Sequence, residues 1–139
     1  MALNNSYNRA FDQYRENTVF TSTPEELTLM LYNGIVKFIM QAKVAIDENH
    51  IERANNSILR AQDIICELQS SLDMKYEISN NLMLLYDYMY RQLMESNIKK
   101  DKNILEEVLN FAKELRDTWM QAMKMAKKQN RIRQVKTSN

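Results

Sequence analysis

The sequence predicts an all-α protein: an antiparallel up-down four-helix bundle with an additional short N-terminal helix docked on it. Three observations carry this expectation. The 139 residues include one Gly and one Pro, where average usage would supply about ten and about seven. Tight β-turns need residues at positive φ, so a turn-rich sandwich or barrel is disfavoured. Apolar residues recur at helical spacing along the chain, and the segments that carry them are joined by short polar connections. Short connections favour neighbouring helices that run antiparallel.

The predicted organisation is a single domain, residues 1–139. It comprises a docking helix at 1–15, a linker at 16–22, the bundle at 23–127 and a basic flexible tail at 128–139. Leu3, Tyr7, Phe11 and Tyr14 form one stripe on the first segment. So short a helix is marginal alone and must dock to be stable. The next helix, 24–48, opens with Thr23 as N-cap, Pro24 at N1 and Glu26 at N3, a capping box. Its main stripe is Leu27, Leu31, Ile35 (or Gly34), Phe38, Ala42 and Ala45, and a second stripe is Leu29, Tyr32, Val36 and Met40. Gly34 inside this helix costs about 1 kcal/mol against Ala. Close approach of another backbone is the expected compensation.

The helix at 51–72 carries a heptad, with Ile51, Ile58, Ile65 and Leu72 at one position and Ala54, Ala61 and Leu68 at the other. Such alternation is bundle packing. The helix at 78–96 is apolar on two faces. Leu82, Leu85, Tyr86, Met89 and Leu93 form one, and Met83, Tyr90 and Met94 the other, with Asn97 expected just past its end. The last helix, 101–126, has the stripe Ile104, Val108, Phe111, Leu115, Trp119 and Met123. Beyond Asp117 there are six cations and no acids, so residues 118–139 carry +6 and the rest of the chain −5. The tail after 128 is expected to fray.

Composition excludes several function classes. A chain of this size buries roughly 68% of its unfolded surface and needs no disulfide or metal staple. Nineteen basic and eighteen acidic residues leave +1, which implies no global polyelectrolyte partner. One glycine cannot build a Gly-rich phosphate loop. Cys66 is the one cysteine; it suits a reducing compartment and is expected to be a buried, inert thiol. No run of roughly 18 apolar residues occurs and residues 1–6 lack a signal-peptide pattern, so a cytosolic location without membrane insertion is expected.

Catalysis is not expected. His50 stands in a loop beside Asp47 and Glu48. Asp47-x-x-His50 is not the pair of Glu-x-x-His motifs that a di-iron bundle requires. Glu25/Glu26 and Glu106/Glu107 are neighbours in sequence, which do not face each other on a helix; they suit helix ends. No cofactor and no metal are expected. The basic tail has no aromatic residue after Trp119, so it offers no stacking platform for a nucleic acid.

What remains is apolar surface. The ten methionines suit irregular core filling, or a surface that adapts to a partner. Tyr86, Tyr88, Met89, Tyr90 and Met94, with Met30 and Tyr32, are either bundle core or a ligand surface. Grooves of this composition take amphipathic helices. The candidate partner-binding groove is Met30, Tyr32, Val36, Met40, Met83, Tyr86, Tyr90, Met94 and Trp119. The N-terminal stripe Leu3, Tyr7, Phe11 and Tyr14 is its candidate cover, since a seven-residue linker reaches roughly 23 Å.

Several motifs resemble the flagellar secretion chaperone FliS family. Thr23-Pro24-Glu25-Glu26-Leu27, Met30-Leu31-Tyr32, Gly34 and Phe38 look like that family's opening bundle helix, with Tyr14, Asn17 and Val19 at its spacing upstream. Leu85-Tyr86-Asp87-Tyr88-Met89, with Arg91, Leu93 and Asn97, looks like its central helix, and Trp119 with Gln121-Ala122 like its last. The resemblance covers about residues 7–125, and the order and spacing of its motifs are specific. Thr23 stands where Ser is usual, Ser96 where Ala is common, the 73–79 loop lacks a Gly pair, and the basic tail is not a family feature.

The resemblance implies a cytoplasmic export chaperone for flagellin. Such proteins bind the disordered C-terminal segment of the filament subunit in hydrophobic grooves. They block premature polymerisation and offer the complex to the type III export gate. The N-terminal segment is implied as a groove cover. The implied partners are flagellin, an export gate component and a co-chaperone or regulator, with no nucleic acid and no membrane insertion. The free protein is implied to be a monomer or weak homodimer. The alternative from the residues is a helical regulatory adaptor that binds nucleic acid or an acidic partner through 124–136.

Overall fold

The computed structural model describes residues 22–137. The expected N-terminal helix, with Leu3, Tyr7, Phe11 and Tyr14, and nearly all of the 16–22 linker lie outside the described residues. Four helices make up the described chain: α1 (Pro24–Asp47), α2 (Ile51–Ser71), α3 (Glu77–Lys99) and α4 (Lys102–Thr137).

Local chemistry sets where each helix starts and stops. Thr23 Oγ1 accepts from the Glu26 N–H at 3.2 Å, and Pro24 opens α1. That satisfies one of the four donors that a helix start leaves orphaned. With no glycine at the tight turns, other residues take the left-handed positions. Asn49 (φ 59°) closes α1 into α2, and Lys100 (φ 51°) closes α3 into α4. Asp73 organises the α2–α3 turn: its carboxylate accepts from the Lys75 N–H at 3.0 Å and its carbonyl from the Ser79 hydroxyl at 2.6 Å. Asn97 does not end α3 as expected. Its side chain donates to Asn55 Oδ1 at 2.8 Å, which ties α3 to α2, and the helix continues to Lys99.

Each helix packs on its sequence neighbours, and α1 also packs on α4, closing the ring of an up-down bundle. The core alternates large and small residues. Ile35, Ile39 and Ala42 meet Ile58, Ala61 and Ile65, with Met89 and Leu93 from α3 and Leu105, Val108 and Ala112 from α4. Full burial of one such aliphatic side chain contributes about 1.5–3 kcal/mol, far more than any one surface contact. Among the described residues no buried side-chain nitrogen or oxygen lacks a hydrogen-bond partner. Lys43 pairs with Glu106 across α1 and α4, and this hydrogen bond holds the Glu106 carboxyl below its usual range, against a smaller opposing effect of burial.

α1 is long and apolar enough to cross a bilayer by length and composition. Its Ile35, Ile39, Ala42 and Ala45 are completely buried in the bundle, as in a core helix.

Three further expectations are corrected. The fifth predicted helix was to stop near 126 and fray after 128, but α4 runs unbroken to Thr137. Its last fourteen positions contain no Gly or Pro, and eight of them are Lys, Arg or Gln, good helix formers all. Cys66 is exposed, because it follows the heptad position Ile65 and faces away from the seam. Gly34 meets a side chain and not a second backbone: a Cβ there would lie 2.8 Å from Ile64 Cδ1.

Candidate functional site

The side chains singled out in the sequence separate into different environments. Tyr32, Val36 and Tyr86 are 3%, 7% and 1% exposed. They belong to the core, which corrects the expectation that they line a groove. The physical reason is mutual satisfaction. The Tyr32 and Tyr86 hydroxyls lie 2.6 Å apart, so each ring is buried with its polar tip paired. Burial pushes both phenols up; the shared hydrogen bond raises Tyr86 further and offsets part of the rise at Tyr32.

Met83, Tyr90 and Met94 lie one above another on α3, on the side turned toward α2. There Gln62 Nε2 reaches the Tyr90 carbonyl at 3.4 Å and Gln69 donates to Asp87 at 2.7 Å. Met83 and Tyr90 are half-buried, and Met94 is exposed. Trp119 lies on α4, and its indole N–H donates to the Glu25 carbonyl at 2.9 Å, beside the start of α1. Met40 is exposed and shares a hollow of about 510 Å³ with Val44, Ala45 and Arg53.

The larger concave surface follows the α1–α2 seam. Its upper part, of about 710 Å³, is walled on the α1 side by Pro24, Leu27, Met30, Leu31, Gly34 and Phe38. Ile64 forms the opposite apolar wall, with Arg60, Asp63 and Glu67 along the rim. Gly34 leaves room at the floor that any larger residue would take from Ile64. A lower part of about 820 Å³ continues past Phe38 to Ile51 and Leu59, with Arg53 and Arg60 at its edge. Phe38 divides the two. Lys37 Nζ and Arg60 Cζ sit 5.4 Å and 5.3 Å from its ring centroid, each such contact being worth about 0.5–1 kcal/mol.

Of the sequence-predicted groove residues, the structure brings Met30 to the upper part of this seam and Met40 to the adjoining hollow beside Arg53. The α2 wall was missed. Its signal was available: Leu59 and Ile64 are apolar residues off the heptad, and in the structure Leu59 is exposed while Ile64 only borders the core. Ile51, assigned to the heptad, is 51% exposed and lines the lower part.

An apolar trough between two helices of a rigid bundle can hold an amphipathic segment through side chains one helical turn apart. Among the described residues no three His, Cys, Asp or Glu side chains gather to hold a metal ion. Fold and trough together define an all-helical binding module.

The family described as flagellar protein FliS matches residues 6–126. The flagellar secretion chaperone FliS of Bacillus subtilis (strain 168) is 44% identical over 128 residues, 92% of this chain and 93% of that protein. Its counterpart in Escherichia coli (strain K12) is 30% identical over 111 residues, 78% of this chain and 82% of that protein. A crystal structure of a flagellar chaperone from bacteria superposes with a TM-score of 0.68 at 18% identity, covering 84% of this chain and 96% of that one, and supports the bundle fold. The chain belongs to the FliS family. It is a flagellar export chaperone and not an enzyme.

Proposed function

We propose that the chain binds the disordered C-terminal segment of flagellin as helices on its apolar surface. It thereby prevents early polymerisation and delivers the subunit to the flagellar type III export gate from the cytosol. One observation carries the placement of the client. Pro24, Leu27, Met30, Leu31, Gly34 and Phe38, six residues of the family's opening motif, line the upper α1–α2 trough. From Pro24 to Phe38 the trough follows about 21 Å of helix, room for several turns of an amphipathic segment. Met40 extends it, and Met83, Tyr90 and Met94 offer a second surface on α3.

Residues 1–15 are proposed as the cover of the upper trough in the free chain. Ser22, where the described chain begins, places its hydroxyl 3.9 Å from Met30 Sδ, at the mouth of the trough. From there Leu3, Tyr7, Phe11 and Tyr14 can shield what is costly to expose. A covered site lowers apparent affinity by the fraction that is open.

Calorimetric titration with a flagellin C-terminal peptide tests both points. Leu27→Glu and Ile64→Glu place a charge at half-buried groove positions, and binding should fall tenfold or more with the helical signal intact. Undiminished binding by these variants, with loss in Met94→Glu, would move the site to α3. Deleting 1–16 should tighten or preserve binding. Weaker binding by that truncated, folded chain would mean that the segment itself contacts the client.

A further inference from the structure

The last four turns of α4 differ from the rest of the molecule. The last buried residue of α4 is Ala112 and the last half-buried one is Met123. Every residue from Lys124 to Thr137 is exposed, although the helix continues. At 1.5 Å per residue this is an arm of about 21 Å. Trp119 touches the start of α1, so the arm leaves the bundle at the end where the α1–α2 trough opens.

Two properties of the arm are coupled. All six cations of residues 118–139 lie on it, while residues 1–117 carry −5. Met125, Ile132 and Val135 are 63%, 48% and 62% exposed. At 3.6 residues per turn these three share an arc of about 140° with Lys124, Lys128, Arg131 and Lys136. The opposite side is mainly Ala126, Asn130, Gln134 and Thr137, with Lys127 and Arg133 between. One side therefore mixes apolar side chains with cations whose long stems let the charges rise to a headgroup layer while the apolar groups sink below it.

We propose that this arm is a reversible dock for an anionic lipid surface. The apolar residues favour lipid over nucleic acid, since a phosphate backbone rewards the cations but not Met125, Ile132 or Val135. Charge complementarity also sets orientation. An anionic surface attracts the arm and repels the acidic bundle, so the molecule meets it arm first and leaves the trough free. Attraction of this kind is screened within about a Debye length and is released by salt.

Co-sedimentation of the full chain with vesicles tests the dock. Vesicles of phosphatidylcholine and phosphatidylglycerol in equal parts should bind it at low salt, and vesicles of phosphatidylcholine alone should not. K124Q/K128Q/R131Q/K136Q should lose tenfold or more. Ile132→Ser, which keeps every charge, should lose about fivefold, less than full burial of an aliphatic side chain would give because Ile132 is only 48% exposed before docking. All five side chains are exposed, so thermal midpoints and flagellin-peptide binding should not move. Equal binding to both vesicles, or retention by the fourfold variant, would overturn the proposal. Loss in the fourfold variant with none in Ile132→Ser, together with competition by duplex DNA or polyglutamate, would overturn it in favour of a purely ionic partner.

Discussion

The paired hydroxyls of Tyr32 and Tyr86 are the most consequential polar contact in the core. Tyr32→Phe leaves the Tyr86 hydroxyl buried without a partner, which should cost about 1–3 kcal/mol in urea unfolding. Tyr32→Phe/Tyr86→Phe removes both polar groups and should recover most of that loss. Both phenols are held above their ordinary value of 10.0 by burial. The folded state therefore keeps them protonated where the unfolded chain ionises them. Their contribution is complete below pH 10 and drains away as pH rises past it, so alkaline titration of the wild type should show a loss of stability that the double variant lacks. Gly34 separates fold from binding in the same way. Gly34→Ala gains up to about 1 kcal/mol of helix propensity, set against a contact with the flexible tip of Ile64. Thermal stability should hold or rise while peptide affinity falls severalfold, because the new methyl occupies the trough floor. Neither Tyr32 nor Tyr86 was legible as core from sequence, because a tyrosine at helical spacing reads alike as packed ring or as contact surface. Only the meeting of two hydroxyls 54 positions apart decides it.

At the scale of elements, the helices were legible and their ends less so. The N-cap at Thr23 and the heptad of α2 are local signals; the cap forms as expected, and the heptad packs from Ala54 to Leu68 while Ile51 at its start stays exposed. The end of α3 was missed because Asn97 serves a distant partner, Asn55, which no local pattern records. The arm of α4 was missed because frayed ends are the usual expectation for polar tails, while here intrinsic propensity acts without any breaker. The turn at Lys100 offers a test of element closure. A non-glycine residue in the left-handed region costs about 1–2 kcal/mol. Lys100→Gly relieves that strain but gives up the ammonium contacts to the Asn97 carbonyl and side chain, at 2.5 Å and 2.6 Å. These half-exposed bonds are worth less than the strain, so unfolding by urea should require about 0.5–1 kcal/mol more. A decrease would mean that the contacts outweigh the backbone.

At the scale of the whole molecule, the bundle is a stiff carrier with polarity along its length. Fold class and family were readable because helical period and the spaced motifs extend over most of the chain. The trough was not, because it depends on which faces of α1 and α2 fail to meet, a property of the assembled pair. The contact between Trp119 and Glu25 has a practical consequence. The chain has one tryptophan, and its indole N–H is hydrogen-bonded to the backbone of the first turn of α1, next to Pro24 and Leu27 in the trough wall. Its emission is therefore an optical gauge of that corner alone, undiluted by any second fluorophore of its kind. A client without tryptophan should shift the emission as it seats, and the same signal followed through a denaturant series should report whether this corner opens before the core does. A spectrum indifferent to saturating flagellin peptide would place the client elsewhere on the bundle.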